Sequence, residues 1–174
     1  MKKFKKILVA GSGGMLGEAI YNTFKKEYDL CCTDIDLNES WLSFLDFRKF
    51  TDYENKIREF KPHYLFHIGA YTDLEFCEIN QDDAMNTNYY SVKNAVMLAN
   101  KYKCKLIFIS SAGVFDGTKD IYFDDDTPSP IGHYAKTKAL SENYIQNNSD
   151  DFLILRPGWM MGGGQNKDKK FVSK

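Results

Sequence analysis

Three tyrosines in this chain stand four residues before a lysine, a spacing that can place a phenol beside an ammonium group. Residues i and i+4 share one face of a helix, and all three pairs lie in segments with helical periodicity. Such a phenol can exchange a proton with a carbonyl oxygen during hydride transfer. Spacing alone does not separate a catalytic pair from structural ones, so position in the fold must decide. The pairs are Tyr21/Lys25, Tyr89/Lys93 and Tyr134/Lys138.

Short apolar or β-branched runs alternate along the chain with longer segments of helical period. This alternation predicts an α/β fold with a doubly wound parallel sheet. With 174 residues, 43% of them hydrophobic, the chain can bury one sizeable core, so we expect one domain over residues 1–174. The predicted strands are Lys6–Ala10, Leu30–Thr33, Tyr64–Ile68, Lys105–Ser110 and Phe152–Arg156; the predicted helices are Gly14–Lys26, an apolar stripe from Phe47 to Phe60, Gln81–Tyr102 and Tyr134–Gln146.

The pair Tyr134/Lys138 differs from the other two in its expected position. It opens a helix after the long loop Ser111–Gly132, and that loop begins with a hydroxyl where a strand ends. Ligands of such folds bind beyond the carboxyl ends of the strands, whereas the other pairs lie one to two turns inside their helices. The alternative is structural, with Tyr134 packed on the loop, Lys138 solvated and Ser111 capping a turn.

The energy needed to activate Tyr134 is within reach of one lysine. Lowering a phenol pKa from about 10 to about 7 requires about 4 kcal/mol. An ammonium group about 4 Å away supplies roughly that amount at an effective dielectric near 20. We therefore expect Lys138 to favour the phenolate of Tyr134, with Ser111 donating a hydrogen bond to the same substrate oxygen.

A glycine-rich turn, GSGGMLG, connects the first predicted strand to the first predicted helix. Its glycines fall as G-x-x-G-x-x-G at Gly11, Gly14 and Gly17, and Leu16 stands where the G-x-G-x-x-G pattern would need glycine. Backbone N–H groups in such a turn can approach a diphosphate, which the helix N-terminus also attracts. The turn predicts a dinucleotide site, and the alternative is a tight turn without a ligand.

An acidic residue near the end of the second predicted strand indicates which dinucleotide is favoured. Asp34 lies 23 residues after Gly11, where a carboxylate can accept a hydrogen bond from a ribose 2′-OH and repel a 2′-phosphate. No arginine lies between residues 31 and 47. NAD(H) is therefore favoured and NADP(H) is the alternative. Asp34 could instead cap a helix or occupy a solvated turn, and Asp36 is a rival for the ribose contact.

Composition and charge argue against several functional classes. The formal net charge is −1 with both signs interleaved, so we expect no nucleic-acid partner and no membrane association. The apolar run after the basic N-terminus is too short for a signal peptide or a membrane span, which favours a cytoplasmic location. We also predict no metal: the four cysteines have no zinc spacing, and the three adjacent acids Asp124, Asp125 and Asp126 do not converge.

At this point the sequence resembles a known family, the extended short-chain dehydrogenase/reductases. The shared motifs are the glycine turn, a serine after the fourth parallel strand and Tyr-x-x-x-Lys. Within that family the chain is most similar to the dTDP-4-dehydrorhamnose reductase branch. The segments that carry this similarity are GAYTDLEFCE, ISSAGVFDGTKDIYFDDDTPSP, YAKTK and LRPGWMMGGG, and they extend over essentially the whole chain.

The resemblance implies a Rossmann-type NAD(P)-binding domain that acts on a nucleotide-linked 4-keto-6-deoxysugar. It also implies a set of roles, carried over by position. The catalytic residues would be Ser111, Tyr134 and Lys138; the cofactor would contact Gly11, Gly13, Gly14, Met15, Leu16, Gly17, Asp34, Asp46, Gly69, Ala70, Tyr71, Tyr134, Lys138 and Arg156; and the substrate would contact Thr72, Val114, Phe115 and Trp159.

The chain departs from the reductase pattern in several places. Where those enzymes usually read S-T-D-Y-V-F, this chain has SSAGVF at residues 110–115, which leans toward epimerase and dehydratase relatives. His67 stands where asparagine is usual. Ala19 replaces a glutamate that holds a metal at the dimer of some members, so the resemblance predicts no such metal here.

Length is the largest departure, because family members continue well past the equivalent of Lys174. We therefore expect the substrate-binding part to be largely absent from these 174 residues. Two alternatives to the reductase stay open: an NAD-dependent nucleotide-sugar epimerase or dehydratase, and a non-catalytic dinucleotide-binding subunit of the methionine adenosyltransferase β type. A homodimer built on two helices is an arrangement that the family uses.

Overall fold

A six-stranded parallel sheet forms the centre of the molecule. The computed structural model describes residues 4–163 and 167–168. The strands are β1 (Lys6–Ala10), β2 (Asp29–Asp34), β3 (Leu42–Phe44), β4 (Tyr64–His67), β5 (Lys105–Ile109) and β6 (Phe152–Leu155). They lie in the order β3-β2-β1-β4-β5-β6, and every neighbouring pair is parallel. The predicted doubly wound α/β fold is thereby confirmed.

Helices cover both faces of this sheet and connect its strands. The helix Gln81–Met85 continues through a π-helical segment, Asn86–Tyr90, into the helix Ser91–Tyr102. Within the described ranges, no helix has both the length and the apolarity needed to span a membrane. The helices are α1 (Met15–Phe24), α2 (Phe50–Phe60), α3 (Leu74–Ile79), α4 (Gln81–Met85), α5 (Ser91–Tyr102) and α6 (His133–Asn148).

Alternation along the central strand β1 builds two cores. Ile7 and Val9 pack on the α1 side of the sheet together with Ile20, whereas Leu8 and Ala10 face the helices α2, α5 and α6. Successive residues of a strand point to opposite faces, so a continuous apolar run is what a strand covered on both sides requires. The buried sheet then fixes where each strand ends.

Two short elements are not predicted from the sequence. The strand β3 has only three residues, and α3 has only six, so neither offers enough repeats for a period to be recognised. The predicted helix Gln81–Tyr102 is real but interrupted, because the π-helical segment inserts a wider turn between α4 and α5. Both α3 and this segment lie beside the site described below.

The switch in strand order falls beside β1, which pairs with β2 on one side and β4 on the other. Connections from these strands leave toward opposite faces and open a crevice at the carboxyl ends, where ligands of such sheets bind. The backbone of Gly11, just after β1, and that of Gly69, just after β4, meet at this point. The fold thus places the glycine turn at the mouth of the crevice.

Candidate active site

A cleft of about 1180 Å³ lies along the carboxyl edge of the sheet. It joins the glycine turn at one end to the Tyr134/Lys138 pair at the other, so most of the residues singled out from the sequence meet in one space. Gly13, Val114 and Arg156 do not line it. The predicted residues that do are Gly11, Gly14, Met15, Leu16, Gly17, Asp34, Asp46, Gly69, Ala70, Tyr71, Thr72, Ser111, Phe115, Tyr134, Lys138 and Trp159.

The three glycines of the turn have different structural roles. Gly11 adopts a φ of +89°, and a Cβ there would lie 2.2 Å from the Cα of Gly69. A Cβ on Gly17 would lie 2.1 Å from the carbonyl oxygen of Ser12. A Cβ on Gly14 would meet no protein atom within 4 Å. Gly11 and Gly17 therefore allow close packing, whereas Gly14 keeps space open in the cleft.

The N-terminus of α1 has the features of an anion site. Gly14 is its N-cap and offers no side-chain cap, so the first N–H groups of the helix are available to an acceptor in the cleft. Partial positive charge at a helix N-terminus favours a phosphate. These residues fit a dinucleotide diphosphate, because the cap is open and Gly14 leaves room beside it.

Asp34 stands at the end of β2 and also braces the glycine turn. Its Oδ2 accepts from the Gly13 N–H at 2.8 Å, and its Oδ1 accepts from the Asp36 N–H at 3.0 Å. Of the two acids weighed for the ribose contact, Asp34 lines the cleft and Asp36 does not. Gly13 thus contacts Asp34 through its N–H group, and the Asp34 carboxylate lies in the cleft beside the glycine turn.

Asp46 lies in the cleft but is paired with an arginine that the sequence analysis did not single out. Arg48 donates from Nε to Asp46 Oδ1 at 2.8 Å and from Nη2 to Oδ2 at 2.9 Å. This bidentate bond holds the pKa of the Asp46 carboxyl below its usual range. Arg48 follows the predicted site residue by two positions, and no periodicity marks it.

The three predicted catalytic residues meet on the opposite side of the cleft. The Ser111 hydroxyl contacts Tyr134 and accepts from the Gly113 N–H at 3.0 Å. Lys138, the residue four positions on in α6, is 3% exposed. Its Nζ donates to the Ile109 carbonyl at 2.8 Å. A phenol, a hydroxyl and an amine therefore share one wall, as the spacing of the motif and the strand end predicted.

Electrostatics at this wall differ from the expectation. Burial raises the pKa of Tyr134, and its contact with Ser111 only partly offsets that effect. Burial also lowers the pKa of Lys138 to about 8. The Lys138 Nζ lies 5.9 Å from the centre of the Tyr134 ring and is bonded to a carbonyl instead. Lys138 therefore does not favour the phenolate here, and Tyr134 is a neutral phenol at neutral pH.

The other two Tyr-Lys pairs lie outside the cleft. Tyr21 stacks on Trp41 with ring centres 4.4 Å apart, and Lys25 donates to Asn22. Lys93 lies over the ring of Tyr89 and over those of its aromatic neighbours. These contacts are structural, so position relative to the sheet edge distinguishes the three pairs, as predicted.

The predicted substrate residues divide into two groups. Thr72, Phe115 and Trp159 line the cleft, and Trp159 is 76% exposed. Val114 is fully buried and belongs to the 3-10 turn Ala112–Val114, which follows Ser111. In the part of the chain that the structure describes, Val114 is thus a core residue, and its side chain does not reach the cleft.

Arg156 does not line the cleft; it contacts Glu142 of α6 and the long loop. It donates from Nε to Glu142 Oε1 at 2.9 Å and from Nη2 to Oε2 at 2.7 Å, and from Nη1 to the Asp124 carbonyl at 3.1 Å. Its guanidinium also lies 5.1 Å from the centre of the Phe115 ring. Arg156 therefore ties α6, the end of β6 and the long loop together, rather than facing the cofactor side of the cleft.

His67, the departure noted in the sequence, is a buried neutral residue. Its Nδ1 shares a hydrogen bond with the Tyr53 hydroxyl at 3.1 Å, and its Nε2 shares one with the Ser91 hydroxyl at 3.1 Å. Burial lowers its pKa to about 3.

Among the described residues, no group of three or more His, Cys, Asp or Glu side chains could hold a metal ion.

Known proteins are similar to this chain in sequence and in fold. The model of the family described as RmlD substrate binding domain matches residues 5–174. Methionine adenosyltransferase 2 subunit beta of Xenopus tropicalis is 28% identical over 153 residues, which cover 87% of this chain and 46% of that protein. dTDP-4-dehydrorhamnose reductase of Aggregatibacter actinomycetemcomitans is 27% identical over 164 residues, 90% of this chain and 52% of that protein.

A solved structure of a dTDP-4-dehydrorhamnose reductase has a similar fold. The dTDP-4-dehydrorhamnose reductase of Bacillus anthracis, in complex with NADP, matches with a TM-score of 0.84 and 26% identity over 93% of this chain and 56% of that one. The chain spans about half the length of the relatives it matches, which are longer, as the resemblance implied. With a family model matched over nearly every residue, this chain belongs to the RmlD substrate binding domain family.

Proposed function

We propose that this chain carries the dinucleotide-binding and proton-transfer half of a nucleotide-sugar reductase. The observation that carries the proposal is the single cleft that joins the open N-terminus of α1 to Ser111, Tyr134 and Lys138. A bound reduced nicotinamide dinucleotide would supply a hydride to a carbonyl carbon. The protein must then protonate the carbonyl oxygen, and the wall opposite the glycine turn bears the groups for that step.

Tyr134 is suited to give that proton. Because burial raises its pKa, the phenol keeps its proton until negative charge develops on the substrate oxygen. Ser111 contacts Tyr134, so its hydroxyl can donate to the same oxygen and stabilise the developing charge. The carbon would gain the hydride, the oxygen would gain the Tyr134 proton, and Tyr134 would become a transient phenolate.

Lys138 is suited to return a proton to that phenolate. Its amine has a pKa of about 8, so both protonation states are accessible near neutral pH. Its bond to the Ile109 carbonyl fixes the amine on the same wall. Removal of Lys138 should therefore slow proton return even where substrate still binds.

The glycine turn and Asp34 would hold the dinucleotide. The first N–H groups of α1 fit the diphosphate, and the Asp34 carboxylate fits a ribose 2′-OH. This favours NAD(H). NADP(H) is the alternative, since the Bacillus anthracis reductase was solved with NADP. The substrate would be a dTDP-linked 4-keto-6-deoxysugar, as the name of the Aggregatibacter relative indicates.

A second function is supported by a different observation. The similarity to methionine adenosyltransferase 2 subunit beta favours a dinucleotide-binding subunit that regulates another protein. Ser111, Tyr134 and Lys138 favour the enzyme, because a purely regulatory site has no chemical need for all three. An epimerase is a further alternative, because the segment SSAGVF at residues 110–115 resembles that of epimerase relatives.

Turnover separates these functions. The full-length gene product, mixed with NADH or NADPH and a dTDP-4-keto-6-deoxysugar, should oxidise the dinucleotide. The Tyr134→Phe variant should lose about 100-fold or more of the rate, since it lacks the proton donor. Tyr89→Phe, which alters a Tyr-Lys pair outside the cleft, is the matched control and should keep full activity.

The outcomes are distinct. Formation of an epimer without net oxidation would identify an epimerase instead. Dinucleotide binding without oxidation and without an epimer detectable by NMR would sink the enzymatic proposal and support the regulatory subunit.

A further inference from the structure

The helix that carries Tyr134 and Lys138 has no cap of its own. The N-cap of α6 is Gly132, which offers no side-chain hydrogen bond. Orphan N–H groups at a helix N-terminus need an acceptor from elsewhere. The acceptor for the first of them comes from another helix: the His133 N–H donates to Oε1 of Glu78, on α3.

Two further contacts show that this cap is built between α3 and α6. A Cβ on Gly132 would lie 3.1 Å from Glu78 Oε1, so glycine gives the carboxylate room to reach the helix. The His133 ring also bonds through Nε2 to the Gln81 carbonyl at 3.3 Å. The first turn of α6 is therefore attached to the α3–α4 segment by both backbone and side chain.

The segment that carries Glu78 is itself held in place. The N-cap Asp73 accepts from the Phe76 N–H at 2.8 Å. The buried amide of Asn88 brackets Tyr71: it accepts from the Tyr71 N–H at 2.8 Å and donates to the Tyr71 carbonyl at 3.0 Å. The same Asn88 amide also donates to Thr137 Oγ1 of α6 at 3.2 Å. Because the segment around Glu78 is held by these bonds, Glu78 can hold the first turn of α6 in one position.

We infer that Glu78 is a positioning residue for the proposed reaction, holding the first turn of α6 so that Tyr134 stays in place against Ser111. The inference rests on the proposed role of Tyr134 as proton donor. Glu78 lines the cleft but acts here through the backbone of α6. Tyr134 is the next residue after the amide that Glu78 holds, so a small displacement at His133 reaches the phenol directly.

Loss of this contact has a predictable effect on Tyr134. The groups around the phenol are Ser111, Cys77 of α3 and Lys138 of α6. Burial is the largest cause of its raised pKa. If the first turn of α6 loosens, water reaches the phenol and its pKa falls toward its ordinary value. A helix that merely loses stability elsewhere would not move this titration.

The test uses four variants of the 174-residue chain. Glu78→Ala removes the acceptor, and Glu78→Gln keeps an acceptor oxygen. Glu75→Ala, on the same helix and exposed, is the matched control. Glu78→Ala combined with Gly132→Ser supplies a local serine cap but leaves α3 unlinked. Amide exchange of His133 and the titration of Tyr134, followed by NMR with labelled tyrosine and assigned through Tyr134→Phe, are the readouts.

For Glu78→Ala we expect at least about tenfold faster exchange at His133 and a lower pKa for Tyr134. Glu78→Gln and Glu75→Ala should resemble the wild type. The double variant should regain the thermal stability of the wild type, but the pKa of its Tyr134 should stay lowered.

Unchanged exchange and titration in Glu78→Ala would overturn the inference. Full recovery of the Tyr134 titration in the double variant would also overturn it, because Glu78 would then be only a helix cap. Neither readout requires turnover or a cofactor, so these results are independent of whether the proposed function holds.

Discussion

Lys138 is a lysine whose site disfavours its own charge. Lys138 is 3% exposed, burial lowers the pKa of its amine to about 8, and the amine donates a hydrogen bond to the backbone carbonyl of Ile109. A fold that needed only packing at this position would use an apolar side chain. Retention of a buried amine beside a phenol and a hydroxyl is what proton transfer requires.

The cost of burying this amine should appear as a dependence of stability on pH. Below about pH 8 the folded state must hold a charged lysine, whereas above it the folded state releases a proton that the unfolded chain keeps until about pH 10.5. Stability therefore rises with pH in this window, because the unfolded state binds more protons. Between pH 7 and pH 9.5 the wild type should gain about 2 kcal/mol relative to Lys138→Met.

Urea unfolding of both proteins at pH 7 and pH 9.5 measures that difference, and the comparison cancels the titration of other groups. A stability gap that stays constant over this range would mean that Lys138 titrates alike in the folded and unfolded chains.

The glycine turn and α1 act as one element, in which packing and binding are divided between two glycines. Gly17→Ala should lower the free energy of unfolding by about 2 kcal/mol or more, because its Cβ would meet a backbone oxygen at 2.1 Å and the helical preference of alanine offsets only about 1 kcal/mol. Gly14→Ala should cost less than about 1 kcal/mol but weaken NADH binding about tenfold or more, since its Cβ enters the cleft.

Urea unfolding and calorimetric titration of NADH separate the two effects. Equal stability losses in both variants, with equal NADH affinity, would show that the turn is a structural turn without a ligand.

The elements also show which features a sequence can predict. Five strands follow from their apolar runs, because a strand buried on both faces needs continuous hydrophobicity. The strand β3 and the helix α3 do not, because three and six residues carry no period. Asn88, in the π-helical segment between α4 and α5, is hydrogen-bonded to Thr137 and Ser141 of α6, and contacts of this kind leave no pattern in residues 86–90.

At the scale of the whole molecule, the ends of distant segments converge on one wall. The buried pair of Glu142 and Arg156 joins α6 to the end of β6, and Arg156 also holds the long loop through the Asp124 carbonyl. This loop starts at Ser111 and ends at the helix that bears Tyr134. Arg156 thus links the middle of the loop to α6, and Glu78 holds the start of α6, where the loop ends.

This convergence explains why the site was only partly predictable. Motif residues such as Gly14, Asp34, Ser111 and Tyr134 follow strand ends or open helices, and topology brings strand ends together. Glu78 acts through a contact between helices that no spacing encodes. Arg156 follows a strand end, as the motif residues do, but its side chain is bonded to Glu142 and does not line the cleft. Position in the sequence does not encode that difference.

The central claim is that one cleft holds a nicotinamide dinucleotide between the glycine turn and Tyr134. NMR of the 174-residue chain titrated with NADH tests it directly. We predict amide shifts at both ends of the cleft, around Gly11, Gly14 and Asp34 and around Ser111 and Tyr134, with magnetisation transfer from the nicotinamide protons to the Tyr134 ring. If saturating NADH leaves these amides and the Tyr134 ring unchanged, the cleft is not a dinucleotide site and the account fails.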